Sequence, residues 1–165
     1  IPAHLPIISD INKALIKVND RLAHEPIVKD AFSEWMNTCV KWKDAEWKAI
    51  TKLKNSDTKP LHVLRVVKSI EDVLGEDAML CIDGGDTQAW TDSVYQVSKG
   101  GLYVKGGPLG CMGVGVPFAI GSKVAFPERQ VALISGDGAI GMNLMEFETA
   151  VKHKIPFVSI RSFKL

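Results

Sequence analysis

The first third of the chain carries apolar side chains at helical spacing, with polar residues between them. Residues 7–8 are typical of the end of a strand, and Ser9 or Asp10 can then cap a helix by accepting from its first amides. The apolar stripe of this helix consists of Ile11, Leu15, Val18 and Leu22. A second helix is predicted over 29–52, where an aromatic stripe is more typical of packing than of ligand binding. The polar segment 55–60 ends in proline and indicates a linker.

From residue 61 onward, short apolar runs alternate with helical patterns. The runs at 79–82, 131–135 and 155–160 contain no charged residue, as in strands that are buried on both faces of a parallel sheet. Helices are predicted at 61–74, 90–95, 111–126 and 143–153. Strand and helix alternate at βαβ spacing, which predicts an α/β fold with a parallel sheet and helices on both faces.

Three glycine-rich segments, 84–88, 106–113 and 136–141, fall where predicted strands end or helices begin. The first and third follow parallel strands, so we expect them to converge at one edge of the sheet. Backbone amides at helix starts favour an anion such as a phosphate. Asp137 lies in the third segment and would repel a bare diphosphate, unless a divalent cation bridges the two. A carboxylate oxygen suits Mg²⁺, and the residues therefore predict a metal-bridged diphosphate site.

The third segment also supports a second interpretation. Residues 136–141 fit G-x-G-x-x-G between a strand and a helix, which is the pattern of a dinucleotide-binding module. Arg161 stands at the end of the following predicted strand and would favour NADP over NAD. Against this interpretation, Asp137 would face the pyrophosphate with no metal, and the glycine-rich segment 106–121 would have no role.

Composition narrows the classes of partner and compartment. The chain has 165 residues and a net charge of +1, which gives no indication of nucleic acid or an anionic membrane as a partner. Its longest apolar run, 106–121, is too short and too rich in glycine and proline to cross a bilayer. Cys39, Cys81 and Cys111 are scattered and form no C-x-x-C pair, which is typical of reduced thiols. We therefore expect a cytoplasmic protein.

Three motifs carry a resemblance to a known family: GCMG at 110–113, GDGAIGMN at 136–143 and DGGDTQAW at 83–90. They resemble motifs of the thiamine-diphosphate-dependent enzymes, and within these the acetolactate synthase-like branch. The resemblance covers residues 61–160. It implies the fold that binds this cofactor, in an incomplete form and preceded by a helical segment.

The resemblance also implies a division into domains. Residues 1–22 would be the tail of the family's central domain, 23–60 a helical connection between domains, and 61–165 a truncated thiamine-diphosphate-binding domain. The parent enzyme would be a homodimer or a homotetramer.

The family's diphosphate contacts carry over to matching positions of this sequence. Asp137 would bind Mg²⁺, while the amides of Gly138 and Ala139 would hold diphosphate oxygens. The other side of the diphosphate would be contacted by Gly84, Gly85 and Thr87.

The resemblance assigns two further contacts to the segment between these loops. The Gly110 carbonyl would accept a hydrogen bond from the aminopyrimidine, and Met112 would be the apolar wedge that bends the cofactor. The bent cofactor would attack a small-molecule 2-keto acid, after which CO₂ is lost and the remaining fragment is transferred, as in a lyase or a transferase.

The sequence departs from the family in three ways. No Asn or Asp follows the last predicted strand, where the family has a second metal ligand. Asp86 adds a negative charge to the first diphosphate loop, and the family's activating Glu belongs to a domain absent from these residues. No residue is therefore assigned a catalytic role, and we expect the chain to be inactive by itself. Besides the NADP-binding oxidoreductase module, a non-catalytic truncated remnant that binds little is the other alternative.

Overall fold

The computed structural model describes residues 2–25, 30–97 and 102–162. The chain divides into two compact units, Ile1–Ala45 and Glu46–Leu165. No helix within the three described ranges is long and apolar enough to cross a membrane.

The first unit contains one helix and most of a second. Helix α1 spans Ile11–His24, and the Asp10 carboxylate accepts from the Lys13 amide at 3.1 Å, so Asp10 is the cap that begins it. Helix α2 spans Ser33–Lys54 and continues beyond this unit. The sequence pattern thus predicted both helices.

Three expectations for this unit differ from the structure. Residues 7–8 are irregular rather than strand, because every described strand lies after residue 78 and none pairs with this segment. The helix predicted to begin at residue 29 begins at Ser33, and residue 29 lies outside the described residues. The aromatic stripe of α2 is not buried in a core. Instead, the rings of Trp35 and Trp42 meet edge to face with centroids 5.7 Å apart.

The second unit contains a four-stranded parallel sheet with the strand order β2-β1-β3-β4. Its elements after α2 are α3 (Val63–Val73), β1 (Met79–Asp83), α4 (Gly85–Val94), β2 (Tyr103–Lys105), α5 (Gly115–Ala125), β3 (Val131–Gly136), α6 (Asp137–Met142), α7 (Glu146–Lys152) and β4 (Val158–Ser162). The fold is therefore α/β, as the alternation of runs and helical patterns predicted.

Helices cover both faces of this sheet. Successive strand residues point to opposite sides, so each face presents apolar side chains for a helix to pack against. One cluster consists of Leu80, Ile82, Ala132 and Ile134, against which Ile70 and Leu74 of the α3 region pack. The opposite cluster includes Met79, Cys81, Val131 and Leu133, together with Val116 and Ala119 of α5. The predicted arrangement of helices on both faces is confirmed.

Several boundaries in the second unit differ from the prediction. Helix α5 begins at Gly115 rather than at residue 111, because Gly113 has a φ of +88° that no helix continues. Strand β4 begins at Val158 rather than at residue 155, and Pro156 in the unpaired part has no amide to donate. The helix predicted over 143–153 is only Glu146–Lys152.

Strand β2 is held against α4 by a polar cluster. Tyr103 Oη donates to Asp92 Oδ1 at 2.5 Å, and Lys105 Nζ lies 2.8 Å from Asp92 Oδ2. Burial acts to raise the pKa of Asp92, but hydrogen bonds from Lys105 and Tyr103 outweigh it and hold that pKa below its usual value. Burial and the Asp92 carboxylate raise the pKa of Tyr103. The cluster fixes this edge strand just before the second glycine-rich segment.

Candidate cofactor site

The first and third glycine-rich segments meet at the carboxyl edge of the sheet. Strand register pairs Asp83 of β1 with Ser135 of β3, so the residues that follow them, Gly84 and Gly136, are neighbours. Gly84 has a φ of +98°, and a Cβ placed on it would lie 3.2 Å from the Gly136 amide nitrogen. Glycine at 84 therefore permits both the turn and the close approach, and the predicted convergence of the two segments is confirmed.

A pocket of about 180 Å³ lies at this meeting point. It is lined by Gly84, Gly85, Asp86, Thr87, Trp90, Met112, Gly136, Asp137, Gly138 and Ala139. Every site residue predicted from the sequence is in this set except Gly110. Gly110 has a φ of +62° and lies in a turn closed by its own amide, which donates to the Gly107 carbonyl at 2.9 Å.

Three lining residues, Asp86, Trp90 and Gly136, were not predicted as site residues, and of these Trp90 alone lies outside the glycine-rich segments. It lies four residues after Asp86 on α4, and residues at this spacing share one face of a helix. Its other surroundings are the apolar cluster of Leu64, Val67 and Val94. The i, i+4 spacing from Asp86 was the signal available in the sequence.

Two helix starts face the pocket. In α4 the first helical hydrogen bond runs from the Gln88 amide to the Gly84 carbonyl at 3.0 Å, so the amides of 85–87 precede it at the positive end of the helix. Helix α6 begins at Asp137, directly after β3. The Gly138 amide donates to Asp137 Oδ1 at 2.8 Å, and both residues are exposed to solvent.

The side-chain charge of the pocket is entirely negative. Asp86 and Asp137 line it, and none of its lining residues is Lys, Arg or His. Within the described ranges no group of three or more His, Cys, Asp or Glu side chains could hold a metal ion. An anion attracted by the helix starts would be opposed by both carboxylates, whereas a cation between anion and carboxylate would satisfy both.

The segment that carries Met112 is tied to both walls of the pocket. The Gly115 amide donates to Asp83 Oδ2 at 2.7 Å, and Asn143 Nδ2 donates to the Gly113 carbonyl at 2.5 Å. The side chain of Met112 is half exposed at the pocket. Sequence reasoning assigned Asp83 and Asn143 no role, because their partners are backbone atoms distant in the chain.

A larger groove of about 560 Å³ lies between α3 and β4. Its walls are almost wholly apolar, from Val66 and Ile70 to Phe157 and Ile160, and it contains no cluster of convergent polar groups. A site for chemistry requires such groups, so the smaller glycine-lined pocket is the better candidate.

Comparison with known proteins locates the same region. Residues 83–161 match the family described as "Thiamine pyrophosphate enzyme, C-terminal TPP binding domain". Thiamine pyrophosphate (TPP) is another name for thiamine diphosphate. The acetolactate synthase isozyme 3 large subunit of Escherichia coli is 30% identical over 97% of this chain and 28% of its own length.

Two further relatives match over a shorter part. The acetolactate synthase large subunit IlvG of Mycobacterium tuberculosis is 38% identical over 63% of this chain and 19% of its own length. Mouse 2-hydroxyacyl-CoA lyase 2 is 37% identical over 61% of this chain and 16% of its own length. The chain thus spans less than a third of the length of each of these relatives.

Proposed function

The chain belongs to the thiamine pyrophosphate enzymes of the acetolactate synthase-like kind, through their C-terminal TPP binding domain, and we propose that its glycine-lined pocket binds the diphosphate of thiamine diphosphate together with Mg²⁺. One observation carries the metal in this proposal. The pocket has two helix starts that favour an anion, yet its only charged side chains are Asp86 and Asp137. A diphosphate bridged by a cation suits both features.

The proposed contacts divide between the two walls. Asp137 supplies a carboxylate oxygen to Mg²⁺, and the amides of Gly138 and Ala139 face diphosphate oxygens. The opposite wall contributes Gly84, Gly85 and Thr87. Mg²⁺ is commonly held by one or two carboxylates, with phosphate oxygens and water completing its octahedron, so a single Asp is a sufficient protein ligand here.

Cofactor binding would rearrange one contact. The Gly138 amide now donates to Asp137 Oδ1. We propose that a diphosphate oxygen takes over this amide and leaves the carboxylate oxygen to the metal. The exchange costs little, because a charge-assisted hydrogen bond is replaced by another of the same kind.

The remainder of the cofactor is assigned to Met112, with the Gly110 carbonyl as acceptor for the aminopyrimidine. When bound, thiamine diphosphate supplies an electron sink for the carbanion formed on cleavage of a 2-keto acid. Met112 lines the pocket and is 50% exposed, so it has apolar surface to offer.

For the whole protein we propose decarboxylation and carboligation of small 2-keto acids in the cytoplasm, within a homodimer or homotetramer. The named relatives that are acetolactate synthases support this reading. The proposed organisation is a central-domain tail at 1–22, a connection at 23–60 and the cofactor-binding domain from residue 61.

The NADP-binding alternative receives less support from the structure. In the dinucleotide fingerprint the third glycine permits close packing of helix on strand. Here a Cβ on Gly141, the third glycine of the pattern, would have no atom within 4 Å. Gly141 thus does not serve that packing.

Titration calorimetry of the protein with thiamine diphosphate plus Mg²⁺, beside NADPH, tests the proposal. We expect saturable binding of thiamine diphosphate that disappears when EDTA removes the metal, and no heat from NADPH. Saturable NADPH binding would favour the oxidoreductase module, and binding of neither ligand would favour the non-catalytic remnant.

Trp90 provides a local reporter of the same event. Its indole lines the pocket, so thiamine diphosphate with Mg²⁺ is expected to change the intrinsic fluorescence. Trp90→Phe should abolish the change. The matched control is Trp47→Phe, because Trp47 lies on α2 under Lys54 and lines no part of the pocket. Loss of the signal in the control instead would place the ligand elsewhere.

A further inference from the structure

The loop of residues 106–114, which follows β2, is fixed at its end by two side chains from outside it. The Gly115 amide donates to Asp83 Oδ2 at 2.7 Å, and the Gly113 carbonyl accepts from Asn143 Nδ2 at 2.5 Å. Gly113 has a φ of +88°, and a Cβ on it would lie 3.2 Å from the same Asn143 nitrogen. The backbone at Gly113 is therefore in direct contact with the side-chain amide of Asn143.

These two side chains come from opposite walls of the pocket. Asp83 is the last residue of β1 and directly precedes Gly84, whereas Asn143 directly follows α6, the helix that begins at Asp137. Met112 directly precedes Gly113. The two hydrogen bonds thus set the position of the Met112 backbone relative to both diphosphate-binding segments.

The buried position of the Asp83 carboxylate lowers the stability of the fold. It is 2% exposed, and its second oxygen, Oδ1, has no hydrogen-bond partner in the described part of the chain. An unsatisfied buried acceptor destabilises a fold. What Asp83 contributes in return is the contact of Oδ2, which positions the start of α5 and the loop before it.

We propose that Asp83 and Asn143 are positioning residues for the part of thiamine diphosphate beyond its diphosphate. They act by holding Met112 and its loop at a fixed distance from the two diphosphate-binding segments. The inference rests on the proposed function. The two can be tested separately, because inorganic pyrophosphate would contact the diphosphate-binding segments but not the loop.

The test compares the affinities of thiamine diphosphate and inorganic pyrophosphate, each with Mg²⁺, by calorimetry. Asn143→Asp keeps the size of the side chain but replaces the donor nitrogen by oxygen, and Asn143→Ala removes the donor without adding charge. Both should bind thiamine diphosphate on the order of tenfold more weakly, the effect of about 1.4 kcal/mol, and pyrophosphate within about twofold of the original protein.

The matched control is Asn55→Asp, because Asn55 Nδ2 also donates to a backbone carbonyl, that of Thr51 at 2.9 Å, and lines no part of the pocket. It should leave both affinities unchanged. The added charge of Asn143→Asp cannot mimic the expected result, since a new negative charge would weaken pyrophosphate at least as much as thiamine diphosphate. Thermal melting of each variant verifies that it folds. If Asn143→Ala does not fold, the isosteric Asn143→Asp is used for the comparison.

Equal losses for the two ligands, or no loss for either, would overturn the positioning role while leaving the proposed function intact. A failure of the unsubstituted protein to bind thiamine diphosphate would instead overturn the proposed function, and the positioning role with it.

Discussion

Asp137→Asn is expected to lower the affinity for thiamine diphosphate in the presence of Mg²⁺ by roughly 100-fold, or about 2.7 kcal/mol. The substitution removes the negative charge that we assign to the metal. It keeps an oxygen that can accept from the Gly138 amide, as Asp137 Oδ1 does at 2.8 Å, so the turn at the start of α6 is retained. The loss is measured by calorimetry at a Mg²⁺ concentration that saturates the unsubstituted protein. It should shrink as the concentration is raised further, because the variant binds the metal more weakly and is not yet saturated.

Asp86→Asn is the matched comparison, because Asp86 lines the same pocket from the opposite wall. It carries the same charge but is not assigned to the metal. Its removal should leave the affinity unchanged or strengthen it by about threefold, since one repulsion with the diphosphate is relieved. Equal and small effects of the two substitutions would show that neither carboxylate belongs to a metal site.

Gly115→Ala is expected to lower the free energy of unfolding by roughly 3 kcal/mol. A Cβ on Gly115 would lie 2.7 Å from Asp83 Cβ and 2.7 Å from Leu133 Cδ1. Asp83 ends a central strand and Leu133 is fully buried in another, so neither atom has room to yield. The added methyl group therefore forces α5 away from the sheet, which also lengthens the hydrogen bond from the Gly115 amide.

Gly121→Ala in the same helix is the control. A Cβ at this position has no atom within 4 Å, and alanine is the better helix former. It should raise the free energy of unfolding by about 0.5–1 kcal/mol. Urea unfolding of the two variants measures both effects, and a similar change in the two would contradict the assignment of close packing to Gly115.

The parts of the fold that the sequence predicted are those whose pattern is local. β1, apart from Asp83 at its end, and β3 are apolar runs buried on both faces, and such runs are recognisable without their neighbours. Strand β2 was not predicted, because Tyr103–Lys105 is three residues long and is a strand only through its pairing with β1. Helix α6 was not predicted, because its six residues are rich in glycine, which disfavours a helix in isolation.

The candidate site divides along the same line. Glycine-rich segments after strands predicted where the pocket lies, since loops of parallel strands share one edge of the sheet. The contacts of Asp83 and Asn143 could not be predicted, because each reaches a backbone atom some thirty residues away, across the sheet edge. Trp90 was overlooked because a tryptophan in a helix is usually explained by apolar packing, and Trp90 does pack against an apolar cluster. The roles of Asp137, Gly138 and Ala139 as ligands stay predictions.

The pairing of Asp83 with Ser135 has a consequence for the order in which the protein folds. β1 and β3 are neighbours in the sheet, although α4, β2 and α5 lie between them in the chain. Closing so long a crossover is entropically slow, and the two glycine turns become adjacent only after it has occurred. The pocket is thus among the last features to form, and a ligand that needs both turns binds the finished sheet but not its intermediates. Such a ligand would act on the unfolding rate and leave the refolding rate nearly unchanged.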